Sequence, residues 1–164
     1  MNLAQFRFLL LSLIFLMTFF FSEAMAQSDK LPPFRIIQPN GKVFKAEYLP
    51  FEKPIVIIYF SPDCEDCLEF MDSFFKKIYD FNEASIVMIT FMPIEYLTKF
   101  SMKYGIKGRG NIYLGTEGSS YFVRDYFKMD GIPFVALYDK DGNVKSTYCK
   151  SIPLNDLIAS LKKM

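Results

Sequence analysis

The chain has 164 residues, three cysteines, no histidine and no tryptophan, and its 19 basic and 18 acidic side chains nearly cancel. A near-neutral balance gives no argument for nucleic acid or acidic lipid as a partner. The missing histidines exclude His-ligated metal sites, Ser–His and Cys–His nucleophile pairs and histidine general bases, so the cysteines are the first place to look for chemistry.

In chain order, Met1 to Arg7 carries one side-chain charge, that of Arg7. A mainly apolar run from Phe8 to Phe21 follows, then Ser22-Glu23-Ala24-Met25-Ala26-Gln27 with small residues where a signal peptidase reads. This order predicts a secretory signal peptide over residues 1–26, cleaved after Ala26. The apolar run is short for a bilayer span, which takes about 20 residues; an uncleaved anchor is the alternative. Removing residues 1–26 takes away Arg7 and Glu23 together and leaves the balance unchanged. Residues 27–33 read as a flexible lead-in, and residues 34–164 as one domain, long enough to bury a core. No later segment is long and apolar enough to span a membrane.

Phe34 to Ile37 and Val43 to Ala46 flank Gln38-Pro39-Asn40-Gly41, a hairpin signal. Ile55 to Phe60 is a continuous apolar run rich in β-branched residues, which predicts a strand buried on both faces. Cys67, Met71, Phe74, Phe75 and Ile78 then recur at helical spacing, with Glu69, Asp72, Ser73, Lys76 and Lys77 opposite. Ser85 to Phe91 predicts a second strand, closed by Pro93, and Ile94 to Tyr104 a helix stopped by Gly105. A short strand is expected at Ile112 to Leu114, and a short helix from Ser119 to Lys128 opened by a serine cap. Phe134 to Tyr138 and Val144 to Cys149 flank the turn Asp139 to Gly142, and a helix over Pro153 to Lys163 ends the chain. Alternating strands and helices imply parallel pairing, hence an α/β class with a mixed sheet.

Cys64 and Cys67 sit where the Ile55–Phe60 strand gives way to a helix. Two cysteines three apart on a first helical turn share a face, and their Cβ atoms can come within the roughly 4 Å a disulfide needs. A sulfur at a helix N-terminus meets unpaired N–H groups and the positive end of the dipole, which favour the attacking thiolate. The second cysteine can then resolve the mixed disulfide. The same spacing also fits half a zinc site, a two-thiolate Cu(I) site or a small structural disulfide, although no second pair or histidine completes a zinc site.

Tyr59 to Cys67 resembles the active-site strand and helix of the thioredoxin superfamily, and Gly131 to Gly142, with Ile132-Pro133 opening a strand, resembles its second signature. The added strand and helix before Pro133 resemble the TlpA-like bacterial periplasmic thiol–disulfide oxidoreductases. The resemblance spans roughly residues 34 to 163. It implies a thioredoxin fold whose mixed central sheet is flanked by helices, with an N-terminal hairpin extension and an inserted strand–helix before a cis-proline. It further implies that Cys64 is the nucleophile and Cys67 the resolving thiol, and that cis-Pro133 faces them, leaving the Ile132 backbone to bind an extended client. No cofactor beyond the Cys64–Cys67 disulfide is implied, and the expected location is a bacterial periplasm. Expected partners are protein disulfide or dithiol clients and an electron donor.

The chain departs from the family pattern in ways that bear on tuning. Asp63 stands where an aromatic residue is common, Asp66 where a proline is common, and Ile57 and Ile58 fill the region of the buried acid found in cytosolic thioredoxins. No proton acceptor for Cys67 is therefore evident. Asp63, Glu65 and Asp66 surround the Cys64 thiolate with like charge, which disfavours it and predicts a reducing couple. Two other functions compete with thiol–disulfide exchange. A thiol peroxidase would use Ser61, three before Cys64, and Arg124; a non-enzymatic Cu(I) carrier would use the two thiolates. Cys149, at the end of its strand, is expected near the Pro133 end of the sheet, outside the couple, as a small apolar filler or as a third thiol able to capture the nucleophile or a client.

Overall fold

The computed structural model describes residues 30–50 and 52–164. The expected signal peptide and cleavage site, and the first three residues of the expected lead-in, lie outside them. Residues 31–164 form one compact unit.

The strands are β1 (Arg35–Ile37), β2 (Val43–Lys45), β3 (Ile55–Tyr59), β4 (Ser85–Thr90), β5 (Ile112–Thr116), β6 (Phe134–Tyr138) and β7 (Val144–Cys149); the α-helices are α1 (Glu65–Lys76), α2 (Ile94–Lys103), α3 (Phe122–Tyr126) and α4 (Leu154–Leu161). All seven strands make one sheet in the order β2-β1-β5-β4-β3-β6-β7. β3, β4 and β5 run parallel, while β6 pairs antiparallel with β3, and β1 with β5. The sheet is therefore mixed, as the alternation of elements predicts. The hairpin lies at one end of the strand order and the β6–β7 hairpin at the other.

Every residue of β3 is buried, because the strand lies inside the sheet and is covered on both faces. Val56, Ile58 and Phe60 point into a cluster with Phe70, Met71 and Phe74 of α1, Leu97 and Phe100 of α2, and Leu157, Ile158 and Leu161 of α4. Ile55, Ile57 and Tyr59 point the other way, to Phe34, Ile36, Phe44, Leu49 and, from α3, Val123. Period-two alternation thus splits one apolar run between two cores. Three helices cover the first face. The second is covered chiefly by the N-terminal hairpin region and the short α3. The hairpin seats closely: a Cβ on Gly115 of β5 would lie 2.8 Å from the Ile36 side chain, so only glycine fits there.

The inserted helix differs from its expected form. A 3₁₀ turn over Gly118–Ser120 precedes Tyr121 in the left-handed region, at φ 47°, and only Phe122–Tyr126 is α-helical. No serine caps it. The Ser120 hydroxyl donates to the Glu117 carbonyl, and the Glu117 carboxylate accepts from the Val123 N–H at 2.8 Å. The same carboxylate accepts from the hydroxyl of fully buried Tyr59 at 2.7 Å. Burial and this bond push the Tyr59 phenol well above its ordinary range. Glu117 therefore ties the insertion to the central strand. β5 also runs two residues past the expected Leu114, where Thr116 pairs with Ile37.

Removing the Glu117 carboxylate should leave a buried phenol without its acceptor, at a cost of about 2–3 kcal/mol. Glu117→Ala should lower stability in urea titrations by that amount, and the loss should shrink by about 1 kcal/mol or more in a Tyr59→Phe background. Additive losses would show that the two side chains do not act together.

Candidate active site

β3 ends at Tyr59, and the chain turns through Phe60 to Asp63 before α1 begins. The turn is fixed at both ends: the Phe60 N–H donates to Ile89 of β4, and the Cys64 N–H to the Ser61 carbonyl at 3.2 Å. Cys64 is the N-cap of α1, in extended conformation, and its Sγ accepts from the Cys67 N–H at 3.3 Å. Its carbonyl accepts from the Leu68 N–H. One of the unpaired amides at the helix start is thus satisfied by sulfur. Cysteine is not among the favoured N-caps, so capping strength does not explain this choice.

The two thiols differ in environment. Cys64 is partly exposed, whereas Cys67 is fully buried at the head of the apolar stripe of α1. Burial first, and its hydrogen-bonded contact with Cys64 second, push the Cys67 thiol up to about 12. No buried carboxylate stands by to accept its proton: among the described residues, the buried polar side chains are Ser61, Ser85, Thr90 and Thr116. Ile57 and Ile58 are fully buried, as the sequence suggested.

Asp63, Glu65 and Asp66 are all exposed around the cap. Glu65 and Asp66 occupy the first turn, where the helix dipole favours anions. Asp63 is engaged locally, since the buried Ser61 hydroxyl donates to its carboxylate. That bond commits the hydroxyl a peroxidase reading would require. Arg124 lies over the Tyr121 ring, next to Val123 of the opposite core.

The Ile132–Pro133 peptide bond is cis. Tyr59 pairs with Phe134, so Pro133 stands at the end of the sheet where β3 hands over to the Cys64 turn. Ile132 and Cys64 both pack against the α1-side core. Among the described residues, neither the Ile132 amide nor its carbonyl has a backbone hydrogen-bond partner. Cys64, Cys67, Ile132 and Pro133, separate in sequence, therefore meet at one sheet end.

Cys149 pairs with Phe134 and so lies at this same end, as its strand position predicts. Its side chain, however, packs on the other face, with Phe134 and Met129. It is not a simple apolar filler: the partly exposed thiol donates to the Asp130 carboxylate at 2.9 Å and to the Gly131 carbonyl at 3.3 Å. Burial, then the Asp130 carboxylate, raises its pKa. Asp130 and Lys150, which with Gly131 surround this corner, carry no signal in the sequence of their own. The available signal was the placement of Cys149 beside Pro133, which brings its neighbour Lys150 there too.

No protein-family model matches the sequence, and no curated protein matches it. Solved structures do. A secreted Mycobacterium tuberculosis disulfide oxidoreductase, homologous to E. coli DsbE, gives a TM-score of 0.66 at 17% identity over 80% of this chain and 96% of that one. An exposed lipoprotein thioredoxin of Streptococcus pneumoniae gives 0.59 at 15% identity, over 80% and 98% of the two chains. A peroxiredoxin-like protein of Aquifex aeolicus gives 0.68 at 13% identity, over 82% and 85%. At these identities the likeness is one of fold. With this sheet order, a cysteine pair at the β3–α1 junction and a cis Ile132–Pro133 bond at the same sheet end, the protein has the thioredoxin fold.

Proposed function

We propose that this protein is an exported thiol–disulfide oxidoreductase that reduces disulfides in other exported proteins, through Cys64 and Cys67. One observation carries the reading: a partly exposed sulfur caps a helix, and a fully buried thiol lies one turn behind it. That asymmetry suits an attacking group and a resolving group.

The exchange has two steps. The Cys64 thiolate attacks one sulfur of a client disulfide, a Cys64–client disulfide forms, and the client's other sulfur leaves as a thiolate. The Cys67 thiolate then attacks Cys64, forming the Cys64–Cys67 disulfide and releasing the client's second thiolate. Two electrons pass from the protein to the client, and an external dithiol donor restores the pair. The Ile132 amide and carbonyl beside Pro133, with no backbone partner among the described residues, would offer an extended client segment two hydrogen bonds. Export and a periplasmic location rest on the N-terminal sequence pattern, and the secreted and exposed proteins of like fold are in keeping with them.

The direction, client reduction, rests on how little the reduced pair gains. Burial holds Cys67 as a thiol. Carboxylates of Glu65 and Asp66 already occupy the first turn of α1. A reduced form without special stabilisation makes a reductant rather than an oxidant.

Role assignment is tested by trapping. Cys67→Ala should accumulate mixed disulfides with clients, and Cys64→Ser should accumulate none. The Cys64→Ser variant is also a fold control: serine is a favoured N-cap, so its unfolding midpoint should equal or exceed the wild type's. Iodoacetamide should modify Cys64 of the reduced protein first. Faster modification of Cys67 would reverse the roles.

The buried thiol also sets a pH dependence. A pKa raised to about 12 leaves little thiolate near neutrality, and that little grows as pH rises. Burial, the larger cause, persists in the mixed disulfide. The resolving step, read as single-turnover release of a chromogenic thiol from Cys64, should accelerate about tenfold per pH unit between roughly pH 6 and 9. A plateau inside that window would mean that a local base takes the Cys67 proton.

A further inference from the structure

Three features meet at the loop ahead of Pro133. Lys150 holds a left-handed backbone, φ 64°, uncommon for a residue with a side chain. Its N–H donates to the Pro133 carbonyl at 2.8 Å, which fastens it to the cis-proline segment. Its side chain then lies across Gly131 so closely that a Cβ there would come within 2.2 Å of the Lys150 Cε. Gly131 has no left-handed φ, and its side-chain-free face is where the Lys150 stem lies. The ammonium ends 3.5 Å from the Asp130 carboxylate, with both side chains mostly exposed. That pair is weak and readily exchanged for another.

A lysine kept only for solubility needs no left-handed backbone. That conformation, with the open face of Gly131, lets an aliphatic stem lie against the backbone leading into Ile132 and sets a cation at its end. Strained positions of this kind cluster at binding sites. Cys64, by contrast, is flanked by the carboxylates of Asp63, Glu65 and Asp66. A client entering between them therefore meets negative charge beside Cys64 and, on the Pro133 side, a lysine whose only charged partner among the described contacts is the exposed Asp130.

We propose that Lys150 is a specificity-determining residue: its stem walls the client groove beside Ile132–Pro133, and its ammonium, released from Asp130, selects clients with a carboxylate near the reacting cysteine. This rests on the exchange reading of the Cys64–Cys67 pair.

The test uses cysteine peptides in disulfide linkage to 2-mercaptoethanol, flanked by Glu, Gln or Lys, with the reduced full-length protein. The wild type should react faster with the Glu peptide than with the Lys peptide. Lys150→Met keeps the stem and should cut that ratio about two- to fivefold, the worth of one exposed charge pair; Lys150→Glu should invert it. Lys150→Gly relieves the backbone and removes both stem and charge; it should keep or raise the unfolding midpoint while losing the preference, which a merely structural lysine would not do. Reduction of bis(2-hydroxyethyl) disulfide, which carries no charge to select, reports in each variant whether the Cys64–Cys67 chemistry persists. An unchanged Glu-to-Lys ratio in the Met and Glu variants, with that neutral disulfide still reduced, would overturn the role of Lys150 alone. A wild type inert toward every disulfide would overturn the exchange reading and this inference with it.

Discussion

The hydrogen bond from the Cys67 amide to the Cys64 sulfur is the contact on which the site is built. It makes a thiol sulfur part of the helix cap. The sulfur's position then follows from the path of α1, and that path follows from Cys67, Phe70, Met71 and Phe74, all buried against the sheet. β3 holds the other end: apolar and buried along its whole length, it fixes where the chain leaves the sheet. The same contact separates the thiols. The cap faces outward, while the next helical turn carries Cys67 into the core.

Burial without a buried acid sets the chemical character of the pair. Cys67 sits among apolar side chains, and the buried central strand offers Ile57 and Ile58 rather than a proton acceptor. In the proposed exchange the Cys67 proton leaves through solvent or through a group brought by the client. The exposed carboxylates around Cys64 act in water, where screening limits each of them. Their combined sign still matters, because the favourable places at the helix start are already held by Glu65 and Asp66. A site arranged in this way has little to stabilise a resident anion.

Much of this was legible in the sequence, for reasons that differ by element. The β-branched Ile55–Phe60 run reads as a strand buried on both faces, and the spacing of Cys67, Met71 and Phe74 as a helix packed on one. Together they place Cys64 at the junction. The β6–β7 hairpin, read from Asp139 to Gly142, was enough to bring Cys149 to the Pro133 end. The insertion was less legible. Ser119 looks like a cap, but the acceptor that caps α3 is Glu117, and its choice depends on Tyr59, far away in sequence. The Lys150–Gly131 crossing was hidden for the same reason. Neither residue is unusual alone, and only the pairing of β7 with β6 brings them into contact.

The reduction potential of the Cys64–Cys67 couple tests the account most directly, because it reads the balance between the buried thiol, the capped sulfur and the carboxylates in one number. Equilibration with a glutathione or dithiothreitol redox buffer, followed by alkylation and mass analysis, would give it. The account predicts a value nearer the thioredoxin end of the range, about −270 mV, than the strongly oxidising end at about −120 mV. A value above the midpoint of those two would contradict it and make the protein an oxidant of its clients.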